Sequence, residues 1–211
     1  MDGDVASLRV RLAGALVVLD WNGTTVDDAA RTRASLNAAL ARFGQPPLDG
    51  PAYAARFKLP MAAMMADLGL PEFEIALAIR AWNDEIARCE APLSRGAATL
   101  VSGMRDRGFP AGVISAAATN VVRAEAARLG ILADLGFLIG DAEPKSAPLW
   151  QLVRTASGPV LYVGDTEYDI LEALAAGATP VGFASGYRPP AALLAAGALA
   201  VVDDLALLLG G

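Results

Sequence analysis

Ala15-Leu16-Val17-Val18-Leu19-Asp20-Trp21-Asn22-Gly23-Thr24-Thr25 decides the fold of this chain. A five-residue apolar run closes on a carboxylate, and a glycine turn follows at once. That is the pattern of a buried strand, and it puts Asp20 at the strand's C-terminal edge, where open α/β sheets bind ligands. Two later runs repeat the pattern. Ala111 to Ile114 ends in Ser115, and Val160 to Val163 ends in Gly164-Asp165-Thr166-Glu167-Tyr168-Asp169, with Lys145 in a loop between them. Three strand ends bearing Asp20, Ser115 and Asp165, with one lysine, describe a site for phosphate and a divalent metal.

Working outward, short apolar runs bounded by Gly, Pro or Asp predict strands at 15–20, 110–115, 136–139, 159–163, 179–183 and 199–202. Helical patterns alternate with them: Ala97–Arg107, closed by Gly108; Thr119–Leu129, closed by Gly130; Ala147–Ala156; and Tyr168–Ala176, closed by Gly177. Strand–helix alternation of this kind predicts a doubly wound parallel α/β sheet. The alternation stops between residues 27 and 90. Ala29–Phe43 and Glu72–Arg88 read there as amphipathic helices, with shorter pieces at 51–57 and 61–68, separated at Pro46-Pro47, Pro60 and Gly69-Leu70-Pro71. The expected organisation is an α/β core of 1–26 and 91–211 with a helical cap at 27–90. An insert leaving and re-entering beside the catalytic edge is placed to act as a lid.

Composition removes several chemistries. The 211 residues contain no histidine and a single cysteine, Cys89. Serine–histidine and cysteine–histidine catalysis, histidine-ligated metals, zinc clusters of cysteine and an intrachain disulfide are all excluded. A formal charge of -6 opposes a nucleic-acid footprint. The acidic opening Met1-Asp2-Gly3-Asp4 does not resemble a signal peptide, and Gly, Pro or charge interrupts every apolar stretch before ~18 residues. A cytoplasmic location and no membrane partner are the expectations.

The order Asp20-x-Asn22-Gly23-Thr24, Ser115, Lys145-Ser146-Ala147-Pro148, Gly164-Asp165 with Asp169 resembles the four motifs of the haloacid dehalogenase-like hydrolase superfamily. The resemblance covers nearly the whole chain. The tail from Gly186-Tyr187-Arg188 through Ala196-Gly197-Ala198 to Val201-Val202-Asp203 is similar to the endings of phosphoglycolate-phosphatase-like members, and the insert stands where they carry a first-type cap. The fold so implied is the HAD-like, Rossmannoid sheet.

Phosphate-ester cleavage needs an in-line nucleophile, neutralisation of the equatorial oxygens and a protonated leaving group. Asp20 is the candidate nucleophile, forming an aspartyl-phosphate. Mg2+, which prefers oxygen ligands, would be held by Asp20, the Asn22 carbonyl and Asp165. The resemblance adds Asp169, ligating directly or through water. Ser115 and Lys145 would hold the phosphoryl oxygens, and backbone N–H groups after Asp20 would add a cradle. Arg56 and Lys58, in the cap loop that faces the substrate in this family, are candidates for a distal anion. The substrate is expected to be a small phosphorylated metabolite.

Asn22 departs from the pattern. Phosphatases of this family carry Asp there as general acid and base, and an amide neither gives nor takes that proton. One alternative is therefore a weakly active or non-catalytic binding protein on the same fold. Another is a C–P bond hydrolase, because Asp20-Trp21-x-Gly23-Thr24-Thr25-Val26-Asp27 also resembles the opening of phosphonoacetaldehyde hydrolases. Those enzymes use a cap lysine as a Schiff base, but the surroundings of Lys58 do not reproduce their lysine segment. A dehalogenase would not need the acidic pair. The three tryptophans, Trp21, Trp82 and Trp150, read as packing residues.

Overall fold

The computed structural model describes residues 14–184 and 187–210. Gly186 and the acidic opening Met1-Asp2-Gly3-Asp4 lie outside the described residues. The chain divides into two compact units, one of residues 1–27 and 92–211, the other of Asp28–Ala91.

The first unit is built on a six-stranded parallel sheet. In chain order the strands are β1 (Leu16–Leu19), β2 (Gly112–Ile114), β3 (Phe137–Ile139), β4 (Val160–Gly164), β5 (Thr179–Phe183) and β6 (Ala200–Val202), and in space they run β3-β2-β1-β4-β5-β6. This is the doubly wound arrangement expected. Strands covered on both faces have no solvated side to alternate toward, so they read as continuous apolar runs. β1, β2 and β4 are buried almost throughout. The helices of this unit are Ala97–Asp106, Thr119–Arg128, Ser146–Thr155, Glu167–Ala176 and Pro190–Ala195. One core cluster joins Val18, Ile114, Val160 and Tyr162 to Leu149 and Ala173 of the third and fourth of these helices.

Strand order fixes the position of the site. The order reverses between β1 and β4, which leaves a crevice beyond their carboxyl ends. Leu19 pairs with Val113 of β2 and with Val163 of β4. Asp20, Ser115 and Asp165 follow at three neighbouring strand ends.

The second unit is helical. It contains α1 (Ala29–Ala41), α2 (Gly50–Arg56), α3 (Met61–Asp67) and α4 (Glu72–Ile86). The first-unit helices given above are α5 to α9 in chain order. α4 packs against both α1 and α3, burying Leu36, Leu40, Met64, Met65, Trp82 and Ile86. Asp28 opens the unit. Its carboxylate takes Arg31 at 2.8 Å and the Thr32 hydroxyl at 2.9 Å, while Arg31 also reaches the Cys89 carbonyl at 3.3 Å, near the chain's exit. One buried arginine thereby joins both ends of the unit.

Candidate active site

The turn after β1 is closed by its own backbone. The Trp21 carbonyl accepts N–H groups from Thr24 at 3.3 Å, Thr25 at 2.9 Å and Val26 at 3.0 Å. The Thr25 hydroxyl donates to the Asp20 carbonyl at 2.5 Å. Gly23 is required twice over. Its φ is +75°, and a Cβ there would stand 2.4 Å from both Asp165 Oδ2 and the Tyr187 ring. This close approach lets the Thr24 hydroxyl donate to Asp165 Oδ1 at 3.1 Å. The Tyr187 N–H donates to Asp165 Oδ2 at 2.8 Å, so both oxygens of that carboxylate are oriented.

Asp169 reaches the same place from a helix. Thr166 and Asp169 form a capping box at the start of α8: Asp169 Oδ2 accepts from the Thr166 N–H at 3.1 Å and from its hydroxyl at 2.6 Å. Gly164 makes room, since a Cβ there would lie 2.2 Å from the Asp169 Cβ. Lys145, just before α7, is fully buried and bridges two carboxylates, with Nζ 2.8 Å from Asp20 Oδ1 and 2.6 Å from Asp169 Oδ1. The Tyr162 hydroxyl donates to the Ile114 carbonyl at 3.0 Å and lies 3.4 Å from Asp169 Oδ1. At the end of β2, Ser115 is buried and its Oγ accepts the Ala117 N–H at 3.1 Å.

Three buried carboxylates thus face one ammonium. Carboxylate oxygens of Asp20, Asp165 and Asp169 lie within 4.8 Å of one another. Burial raises Asp20 from 3.8 to about 7; Lys145 pulls against the rise and Asp169 adds to it. Burial likewise raises Asp165 well above the ordinary carboxylate value, with Asp169 and then Asp20 adding to it. Burial alone would lower Lys145, but Asp169 and Asp20 outweigh it and hold the amine protonated. Once ionised, the three carboxylates exceed the ammonium by two negative charges, and their all-oxygen donor set fits a hard divalent cation. A cavity of about 470 Å³ opens at the opposite edge of the sheet, beside Gly14, Phe109, Phe137 and Ala156, and contains none of these side chains.

The structure therefore brings Asp20, Asp165, Asp169 and Lys145 into one cluster, with Ser115 and Asn22 on the adjoining strand end and turn. Arg56 and Lys58 belong to the helical unit. Arg56 is exposed, and Lys58 is ion-paired with Asp67 at the surface. Sequence reading missed Thr24, Thr166, Tyr162 and the Tyr187 N–H. The Thr166-x-x-Asp169 spacing was a visible capping signal, whereas Thr24 and the Tyr187 N–H reach Asp165 from 141 and 22 positions away, and Tyr162 reaches Ile114 from 48. Trp82 packs in the helical unit, but the other two tryptophans do more than pack or do not pack inside. Trp150 is 49% exposed under the Arg154 guanidinium. Trp21 is buried and donates its indole Nε1–H to Glu125 Oε2 at 2.7 Å.

This chain belongs to the haloacid dehalogenase-like hydrolase family, which it matches over residues 15–177. It is an enzyme of that hydrolase class. It is 27% identical over 188 residues to phosphoglycolate phosphatase of Synechococcus elongatus, covering 85% of this chain and 88% of the relative. Among solved structures, a haloacid dehalogenase-like family hydrolase from Streptococcus pneumoniae superposes with a TM-score of 0.78 at 19% identity, covering 90% of this chain and 94% of that one. CbbY from Rhodobacter sphaeroides, solved with xylulose-1,5-bisphosphate, gives 0.72 at 19% identity over the same shares. Among the described residues, no helix is long and apolar enough to cross a membrane.

Proposed function

We propose that this phosphatase-like hydrolase cleaves a small phosphate monoester through an aspartyl-phosphate on Asp20, with Mg2+ as cofactor. The observation that carries the reading is the buried charge imbalance at the β1–β4 crevice: three carboxylates and one ammonium. Asp20, Asp165 and Asp169 would hold the ion together with the Asn22 carbonyl. When bound, it neutralises charge on the carboxylates and on the phosphoryl oxygens.

Asp20 Oδ1 is held by Lys145, which leaves Oδ2 as the attacking atom. Its bond to phosphorus forms as the ester P–O bond breaks, and the leaving oxygen takes a proton. Water then attacks phosphorus, releases phosphate and restores the Asp20 carboxylate. Lys145 and the Ser115 hydroxyl support the equatorial oxygens during both displacements. The proton cannot come from Asn22, so it is drawn from water. Substrates with good leaving groups are favoured as a result.

Two relatives support a small anionic substrate: one is named a phosphoglycolate phosphatase, and CbbY was solved with a sugar bisphosphate. Residues 27–90 act in this reading as the cap, with Lys58 and Arg56 recognising a second anion. The C–P hydrolase alternative gains no support, because a Schiff base needs a free amine and the cap lysine, Lys58, is ion-paired with Asp67. The test is turnover of an aryl phosphate with Mg2+. Asp20→Asn should abolish it in a protein that still melts cooperatively, and EDTA should abolish it in the wild type. Substantial activity in purified Asp20→Asn protein would overturn the mechanism.

A further inference from the structure

We propose that Glu125 is a positioning residue for the reaction: through the Trp21 indole it fixes the 20–26 loop against α6, the helix that follows Ser115. The inference rests on the phosphatase reading above.

Trp21 is the hub of the loop. Its N–H donates to the Asp20 carboxylate, and its carbonyl closes the turn by accepting from Thr24, Thr25 and Val26. Its indole reaches Glu125 at 2.7 Å, across 104 residues of sequence. Trp21 is 1% exposed and Glu125 8%. One residue thus touches the nucleophile, shapes the turn and anchors both to another element.

The anchor matters because direct β1–β2 pairing ends before the site, although the Asp20 N–H still donates to the Val163 carbonyl at 2.9 Å and the Ser115 N–H to the Ile139 carbonyl at 2.9 Å. The last residues paired between β1 and β2 are Leu19 and Val113, while β2 goes on pairing with β3 through Ile114. Beyond them, Asp20 and Ser115 stand on separate turns. Glu125 lies on the helix beginning at Thr119, so the indole bond ties the nucleophile's turn to the element that continues the Ser115 turn. Glu125 also pairs with Arg128, 3.6 Å away on the same helix. A buried indole N–H needs an acceptor, and a charged one gives a shorter and stronger bond than a neutral one. With an amide at position 22, the loop contributes through where it holds Asp20 and the neighbouring N–H groups, which makes its placement decisive.

The experiment compares Glu125→Leu, Glu125→Gln, Trp21→Phe and Glu125→Leu/Trp21→Phe with the wild type. It reads kcat and KM on an aryl phosphate with Mg2+, and amide hydrogen exchange of the 20–26 segment. Glu125→Leu should lower kcat by about 10-fold or more with KM changed less than about 3-fold, because misplacement costs rate rather than affinity. Exchange at Thr24, Thr25 and Val26 should accelerate while β4 and β5 stay protected. Glu125→Gln keeps an acceptor and should return both readouts close to wild type. The double variant should be within about 2-fold of either single one, since all remove the same bond. Should Glu125→Leu fail to fold, Trp21→Phe carries the test. Unchanged kcat in the bond-deleting variants, additive losses, or a Gln variant as impaired as Leu would overturn the proposal. If the wild type shows no turnover, the phosphatase reading fails and exchange decides alone: faster loop exchange rescued by Gln sustains the anchor, and unchanged exchange refutes it.

Discussion

Replacing a carboxyl by an amide at position 22 changes little in size and removes a titratable proton. General acid–base catalysis typically contributes ~10²–10⁴-fold, and that contribution rises with the basicity of the leaving group. Asn22→Asp should therefore raise turnover of alkyl phosphates by up to roughly 10²-fold while changing aryl phosphates far less. Steady-state kinetics on a matched alkyl and aryl pair would decide it. A gain equal on both substrates, or none, would show that proton transfer is not what Asn22 limits. At this scale the sequence was informative where chemistry is local. Asp20, Ser115, Lys145 and Asp165 stand out as chemical groups at strand ends or loops, Asp169 as an acid in the first turn of a helix, and Asn22 as a departure from a pattern. What holds them was not legible. The Thr24 hydroxyl on Asp165 and the Trp21 indole on Glu125 bridge residues more than a hundred positions apart, and no spacing encodes such pairs.

Elements were read well wherever periodicity and punctuation agreed. β5 occupies the expected 179–183, and α5 begins at the expected Ala97. The short pieces escaped. α9, at Pro190–Ala195, and the 3-10 turns at Leu132–Asp134 and Leu205–Leu209 span too few residues for a helical period to show. Lys58 follows α2 and precedes α3, where its ion pair with Asp67 joins the segment to the end of α3. That pair is exposed on both sides, so losing it costs at most about 1 kcal/mol. Lys58→Ala should consequently leave the helical unit folded and report on recognition alone. We expect kcat/KM on a doubly anionic phosphate ester to fall by about 10-fold or more, the scale of one charge-assisted hydrogen bond. An aryl phosphate without a second anion should be hydrolysed as before. Equal losses on both would assign Lys58 to folding or to the phosphate itself, and no loss on either would leave it a surface charge.

At the scale of the whole molecule, the charge imbalance links catalysis to stability. Folding takes Asp20 from an ordinary carboxylate of 3.8 to about 7, because burial disfavours its charge. Asp165 is raised as well, for the same reason. A group whose folded value lies above its unfolded one binds its proton more tightly in the native state. Its stabilising contribution is fully present below about pH 4, and it is lost as pH rises through about 7. Metal-free protein should thus lose melting temperature between about pH 5 and about pH 8 from this cluster. A divalent cation competes with those protons and favours the ionised carboxylates. Its stabilisation of the native state should then be larger at the higher pH, since ligand-induced stability follows affinity for the folded form. Thermal melts in EDTA and in Mg2+ at both pH values, with Asp20→Asn alongside, separate this from the titration of surface groups. Asp20→Asn removes the raised carboxyl, so it should flatten the EDTA profile and shrink the pH dependence of the Mg2+ increment. A wild-type melting temperature in EDTA that rises across the window relative to Asp20→Asn would contradict the sign of the Asp20 shift. Mg2+ increments equal at both pH values would remove the ion from the carboxylate cluster.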